Sequence, residues 1–141
     1  MLHYRMKQGL DKMEDAAAIR TEVFVEEQGF QNEFDETDRK AYHIVLYEGT
    51  QAVATGRLYP AEGESYAIGR VAVRKTCRGK HAGKAVVEKL EMLARTLGAK
   101  EISLDAQVRA MGFYEALGYE PFGKEHLDEF CPHRMMKKRL L

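Results

Sequence analysis

The chain has 141 residues, with 45% hydrophobic and 31% charged side chains, and its 22 Lys and Arg balance 22 Asp and Glu. Against a soft prior of roughly 150 residues per domain, one domain over 1–141 is expected, and the composition excludes a disordered chain. Zero net charge removes the bulk electrostatic case for nucleic acid as a partner, and no apolar run approaches the roughly 18 residues of a membrane span.

Residues 3–6 read as a first strand. Asp11, with Glu14 three residues on, offers a cap to a helix whose stripe is Met13, Ala17, Ile19, Val23 and Phe24. That helix should end near residue 25, and the polar, acidic stretch 29–40 reads as a loop. Segments 42–48, 52–59 and 66–73 form three strands of an antiparallel meander, because connections this short cannot make parallel crossovers. Val86, Leu90, Leu93 and Leu97 then mark one face of an amphipathic helix that Gly98 closes. A strand over 101–106, a short helix over 110–117 and a closing strand over 134–140 complete the pattern. The fold class expected is α/β (α+β), a mixed and mostly antiparallel central sheet flanked by helices. Its 66–106 segment is a strand–helix–strand unit with a right-handed connection.

Cys77 and Cys131 are too few and too far apart for a disulfide framework or a four-ligand zinc site. Free thiols, a cytoplasmic location and no metal are the expectation.

The most informative stretch is residues 70–84, RVAVRKTCRGKHAGK. A strand runs into a basic turn with Gly79 and Gly83, and the turn opens the long helix. The first amides of that helix lack internal partners, and its dipole favours negative charge. Arg74, Lys75, Arg78, Lys80 and Lys84 add positive charge, so a pyrophosphate is the natural occupant; the plainer alternative is a strand-to-helix turn with solvated charges. A Walker A loop is excluded, because three residues rather than four separate the glycines and Ala85 offers magnesium no hydroxyl. The dinucleotide fingerprint G-x-G-x-x-G is also missing.

The turn resembles motif A of the GNAT acetyltransferase superfamily, R/Q-x-x-G-x-G/A. Arg78 and Gly83 match its outer positions, and His81 stands where its first glycine is expected. Downstream, GFYEALGY over 112–119 is similar to motif B, and both motifs fall in the family's order. RTEVFVEEQG over 20–29 and CPHRM over 131–135 resemble the small bacterial YjcF-like branch.

The resemblance implies an N-acyltransferase that moves an acetyl group from acetyl-CoA, its co-substrate, to a primary amine on a small molecule or peptide. The amine attacks directly in a ternary complex. The backbone N–H groups of Val71, Ala72 and Val73 would stabilise the oxyanion and hold the pantetheine arm. Arg78, Gly79, Lys80, His81, Ala82, Gly83 and Lys84 would cradle the pyrophosphate. Tyr114 would be the general acid to the coenzyme A thiolate; its alternative role is a core anchor beside Phe113. Glu26, Glu27 and His133 are nominated for the acceptor site, against a solvated acidic surface as the plainer reading of the two glutamates. Asp105, His43 and His133 join Glu26 and Glu27 as candidate bases, and none is chosen. Cys77 sits among cations, but direct transfer needs no acyl-enzyme. A homodimer is the family prior. The competing readings are an acyl-homoserine-lactone synthase and a non-catalytic acyl-CoA sensor.

Overall fold

The computed structural model describes residues 2–140. Strand β1 (Leu2–Gln8) is followed by α1 (Glu14–Arg20), which continues without a break as a π-helical segment, Thr21–Glu27. A short helix α2 (Thr37–Lys40) leads into the meander β2 (Tyr42–Glu48), β3 (Gln51–Pro60) and β4 (Ser65–Val73). Helix α3 (Ala82–Thr96), β5 (Glu101–Gln107) and α4 (Met111–Ala116) come next. The short strands β6 (Glu120–Pro121) and β7 (His126–Asp128) precede β8 (Cys131–Arg139).

The sheet runs in the order β1-β2-β3-β4-β5-β8-β6, with β7 added on β8. Among the described residues, only β4 and β5 pair in parallel, and α3 makes the crossover between them. The expected mixed, mostly antiparallel sheet is therefore present.

Each face of the sheet is covered because the central strands are apolar on both sides. Ile44 and Leu46 of β2, Leu58 of β3 and Ile68 of β4 pack with Val86, Val87, Leu90 and Ala94 of α3. On the opposite face, Val45, Ala52 and Ala72 pack with Met13, Ala16, Ile19 and Val23. Alternation along β2 thus feeds two cores, one under α3 and one under α1.

Strand β4 carries the feature that opens the site. Arg57 pairs with Gly69, yet Thr55 pairs with Ala72, so β4 holds one residue more than β3 between the same rungs. Arg70 takes up the excess with φ of 53°, as in a β-bulge. Pairing to β5 ends at Ile68 and Leu104, although β4 runs on to Val73 and β5 to Gln107. The two strands diverge there.

Three local expectations differ from the structure. Asp11 does not cap α1: Met13 occupies that position with no side-chain hydrogen bond, because a backbone turn already engages Met13 N–H with Leu10 O at 2.9 Å. The first helix reaches Glu27 through its π-helical end instead of stopping near residue 25. Segment 29–40 contains α2 and two buried carboxylates, Glu33 and Asp38, and so is not simply a solvated loop. Strands β6 and β7 were not expected; two or three residues are too few for alternation to register.

Candidate active site

A cavity of about 560 Å³ lies where β4 and β5 diverge. The N–H of Arg74 bonds to Val53 O on β3 at 3.0 Å. The alternation of an antiparallel strand then turns the N–H groups of Val73 and Val71 away from β3, toward the gap left by β5, and turns that of Ala72 toward β3. All three residues line the cavity.

Past β4 the chain enters the basic turn. Gly79 has φ of 83° and His81 has φ of 63°, so the position where the motif expects glycine is indeed left-handed, and a histidine occupies it. Histidine is among the residues that tolerate this conformation, at some strain. The first helical bond of α3 runs from Ala85 N–H to His81 O at 3.1 Å, leaving the N–H groups of Ala82, Gly83 and Lys84 ahead of the ladder. A Cβ on Gly83 would lie 3.3 Å from Phe113, so the first turn of α3 sits tightly against α4.

Arg78 grips this turn from within: its Nε–H donates to Val73 O at 3.0 Å. Its two terminal nitrogens donate to both Glu27 oxygens at 2.7 Å. This bidentate bond holds the Glu27 carboxyl below the usual range and raises the guanidinium in turn. The π-helical end of the first helix is thereby tied to the anion turn.

The opposite wall is a buried knot of charge. Arg20, 1% exposed, donates from Nε to Glu33 at 2.9 Å and from Nη1 to Asp38 at 2.7 Å. Arg57 Nη1 donates to Asp35 and Asp38, both at 2.8 Å. Arg70, the bulge residue, reaches Glu33 Oε2 at 3.0 Å and Asp35 Oδ2 at 3.3 Å. Burial alone would raise the Asp38 carboxyl, but the bonds from Arg20, from the Asp35 N–H and from Arg57 outweigh it and hold it at about 2. Burial prevails at Glu33, whose carboxyl is raised despite Arg70 and Arg20. The knot pins segment 33–38 to β3 and to the bulge of β4.

Tyr114 lines the cavity from α4, edge-on to Phe113 and to Tyr119. Burial pushes its phenol up to about 12. Nearby, β7 and β8 bring two histidines together: their rings lie 6.2 Å apart, and His126 and His133 are Cα partners. His126 Nε2 is 2.8 Å from Asp105, a bond that raises the imidazole above its ordinary range. Glu129, with φ of 54°, accepts the N–H groups of Gln31 and Asn32 at 3.0 and 2.9 Å, fastening the 29–33 loop to the β7–β8 turn. Phe30 stacks on Phe130 across the same seam.

Of the residues nominated from sequence, Val71, Ala72, Val73, Arg78, Gly79, His81, Ala82, Gly83, Lys84, Tyr114 and His133 all line one cavity. Lys80 turns instead to a separate recess of about 230 Å³ beside Thr76 and Cys77. Glu26 and Glu27 do not line the cavity, and Glu27 is engaged with Arg78. Sequence reasoning missed Phe30, Glu33, Arg70, Gln107, Arg109, Asp128 and Glu129 as lining residues. Only the acidic bias of 29–40 hinted at any of them. Cys77 and Cys131 are free thiols, the latter buried. Among the described residues, no helix is long and apolar enough to cross a membrane, and no cluster of three His, Cys, Asp or Glu could hold a metal ion.

Residues 10–119 match the model of the acetyltransferase (GNAT) family. The uncharacterised N-acetyltransferase YjcF of Bacillus subtilis is 36% identical over 131 residues, which is 91% of this chain and 93% of YjcF. The crystal structure of an acyl-CoA N-acyltransferase from Pseudomonas aeruginosa superposes with a TM-score of 0.86 at 25% identity, covering 98% of this chain and 99% of that one. Another, the Escherichia coli protein ElaA, gives a TM-score of 0.85 at 25% identity with the same coverage. With a left-handed, glycine-bearing turn at the head of α3 and a cavity between diverging strands, the chain belongs to the GNAT acetyltransferase family, in its YjcF-like branch, whose chemistry is acyl transfer from an acyl-CoA.

Proposed function

We propose that the protein is an N-acetyltransferase that moves the acetyl group of acetyl-CoA to a primary amine by direct attack. The observation that carries the reading is the divergence of β4 and β5, which opens one cavity onto the backbone of 71–73, the head of α3 and Tyr114 at once. The amides of Ala82, Gly83 and Lys84, with Arg78 and Lys84 beside them, suit a pyrophosphate. Val71 and Val73 N–H suit the thioester carbonyl, whose oxygen gains charge as the tetrahedral intermediate forms.

Tyr114 is the group assigned to the leaving sulfur. A phenol at about 12 stays protonated at neutral pH, whereas a thiol ionises near ~8.5. Tyr114 therefore stabilises the departing thiolate chiefly as a hydrogen-bond donor, and solvent completes the protonation. Asp128 and Glu129 in the lining, neither within ion-pair distance of a described Lys or Arg, support a cationic amine as acceptor, small molecule or peptide.

The test joins binding to turnover. Calorimetry with acetyl-CoA should give saturable one-site binding that Gly83→Glu abolishes. Tyr114→Phe should leave that affinity intact while lowering kcat about 10²-fold toward a panel of primary amines. Unchanged kcat in Tyr114→Phe would remove its role, and no binding at millimolar acetyl-CoA would remove the whole reading.

A further inference from the structure

We infer that His133 is the general base that takes the proton from the attacking amine. The inference rests on the amine-transfer reading above and assigns the proton acceptor that it lacks.

His133 stands on β8 as the Cα partner of Gln107, beyond the point where β4 and β5 separate, and lines the cavity. It is 6% exposed. Its Nδ1 lies 2.9 Å from Cys131 O. A carbonyl oxygen can only accept, so Nδ1 carries the hydrogen and the neutral ring presents its lone pair at Nε2. That Nε2 has no hydrogen-bond partner; the nearest charged group, Asp128 Oδ2, is 4.0 Å away and too far to bond. Nor is it sealed. Among the described residues, the fully enclosed side-chain nitrogens and oxygens without partners are His43 Nδ1 and Arg57 Nε. His133 Nε2 is thus a basic nitrogen with a fixed tautomer, on a buried residue that lines the cavity, not fully enclosed and without a hydrogen-bond partner among the described residues.

The ring is also held in place. Phe30 meets it edge-on at 6.5 Å, and His126 lies 6.2 Å away on the other strand. Three alternatives are committed elsewhere, and Asp128, half-exposed, faces His133 itself. Glu33 Oε2 is taken by Arg20 and Arg70, Asp105 is bonded to His126, and His43 faces the carbonyl of Asp38 outside the cavity.

In the step itself, the amine reacts as its free base, its ammonium proton already lost to solvent; its nitrogen bonds to the thioester carbonyl carbon while one of its two remaining protons passes to His133 Nε2. The intermediate then collapses, the carbon–sulfur bond breaks, and coenzyme A leaves as a thiolate that takes a proton from solvent. The imidazolium, facing Asp128, returns its proton to solvent. The sum is amine plus acetyl-CoA giving amide plus coenzyme A thiol.

His133→Asn keeps a donor for Cys131 O and removes the base. Wild type and variant are compared for thermal unfolding, acetyl-CoA affinity and kcat/KM against pH. The acceptor is whichever of n-butylamine, a linear diamine and a lysyl peptide the wild type acetylates fastest. The groups facing His133 that titrate beside it are Asp128 and His126 on β7; Gln107 on β5 and Phe30 are neutral. We expect about a 10²-fold loss of kcat or more, loss of the acidic limb of the profile, and an acetyl-CoA Kd within about twofold of wild type. A variant that keeps the limb and the rate overturns the assignment. In labelled wild type with acetyl-CoA, nitrogen NMR should show Nδ1 protonated and Nε2 bare near neutral pH; the reverse tautomer overturns it without any acceptor. If the wild type binds acetyl-CoA but acetylates none of the amines while this tautomer is present, the transfer reading fails first, and the base falls with it.

Discussion

Two clusters of positive charge flank the cavity, one behind its wall and one in its lining, and the chain treats them in opposite ways. In the knot, Arg20 and Arg57 are almost wholly buried and their bonds go to Glu33, Asp35 and Asp38. In the turn at the head of α3, His81 and Lys84 are exposed and line the cavity, and the backbone is bent into left-handed geometry. The first cluster has been spent on holding a wall; the second is left open to a ligand. Charge that shapes a site must be neutralised within the protein, while charge that recognises an anion must stay accessible.

The sharpest way to break this contrast is to remove one charge from each side. Asp38→Asn leaves two buried guanidiniums short of a partner and should cost about 3–5 kcal/mol in urea unfolding. Arg78→Gln, which removes a half-exposed pair with Glu27, should cost at most about 1 kcal/mol but weaken acetyl-CoA binding. Equal losses of stability would erase the distinction.

Acid should sharpen it. The Asp38 carboxyl titrates near 2 in the fold, below the ~3.9 of a free aspartate. Its contribution is complete above about pH 4 and is lost as pH falls toward 2, amounting to about 2 kcal/mol. Glu33 opposes this, since a carboxyl raised by burial destabilises the fold when ionised and is relieved by protonation. Urea midpoints between pH 5 and 2.5 should fall in the wild type. A midpoint that stays flat between pH 4 and 2.5, below the range in which Glu33 opposes it, would mean that Asp38 is not held by its arginines.

The smallest effect lies in the turn. His81 adopts φ of 63°, so His81→Gly should relieve strain and raise stability by up to about 1 kcal/mol, a shift of a few degrees in Tm. The gain is reduced by the extra freedom of glycine in the unfolded chain. A fall in Tm would show that the imidazole makes stabilising contacts that outweigh the strain.

The turn was legible because its function is written in contiguous residues: Arg78, Gly79 and Gly83 stand within six positions of one another, next to a helix with a clear apolar stripe. The knot was not, because Arg20, Glu33, Asp38, Arg57 and Arg70 come from five places in the chain and each alone looks like a surface charge. The same reason hid Asp128 and Glu129, which join the cavity only when β7 folds back on β8. Glu27 misled for a related cause: its position after the first helix was evident, but its bond to Arg78, 51 residues away, was not. The sheet was legible wherever its strands are long enough for alternation to show.

The extra residue at Arg70 does more than separate β4 from β5; it reverses the parity of β4. Before it, the even-numbered Tyr66 and Ile68 belong to the core beneath α3. After it, the odd-numbered Val71 and Val73 pack there, and Ala72 joins the core beneath α1. Deleting Arg70 would restore an even ladder, with Val71 opposite Gly56 and Ala72 still opposite Thr55, and the side chains downstream would keep their faces. The bulge therefore leaves both cores as they would be without it, and what it adds is a residue outside the ladder, Arg70, whose side chain reaches Glu33 and Asp35.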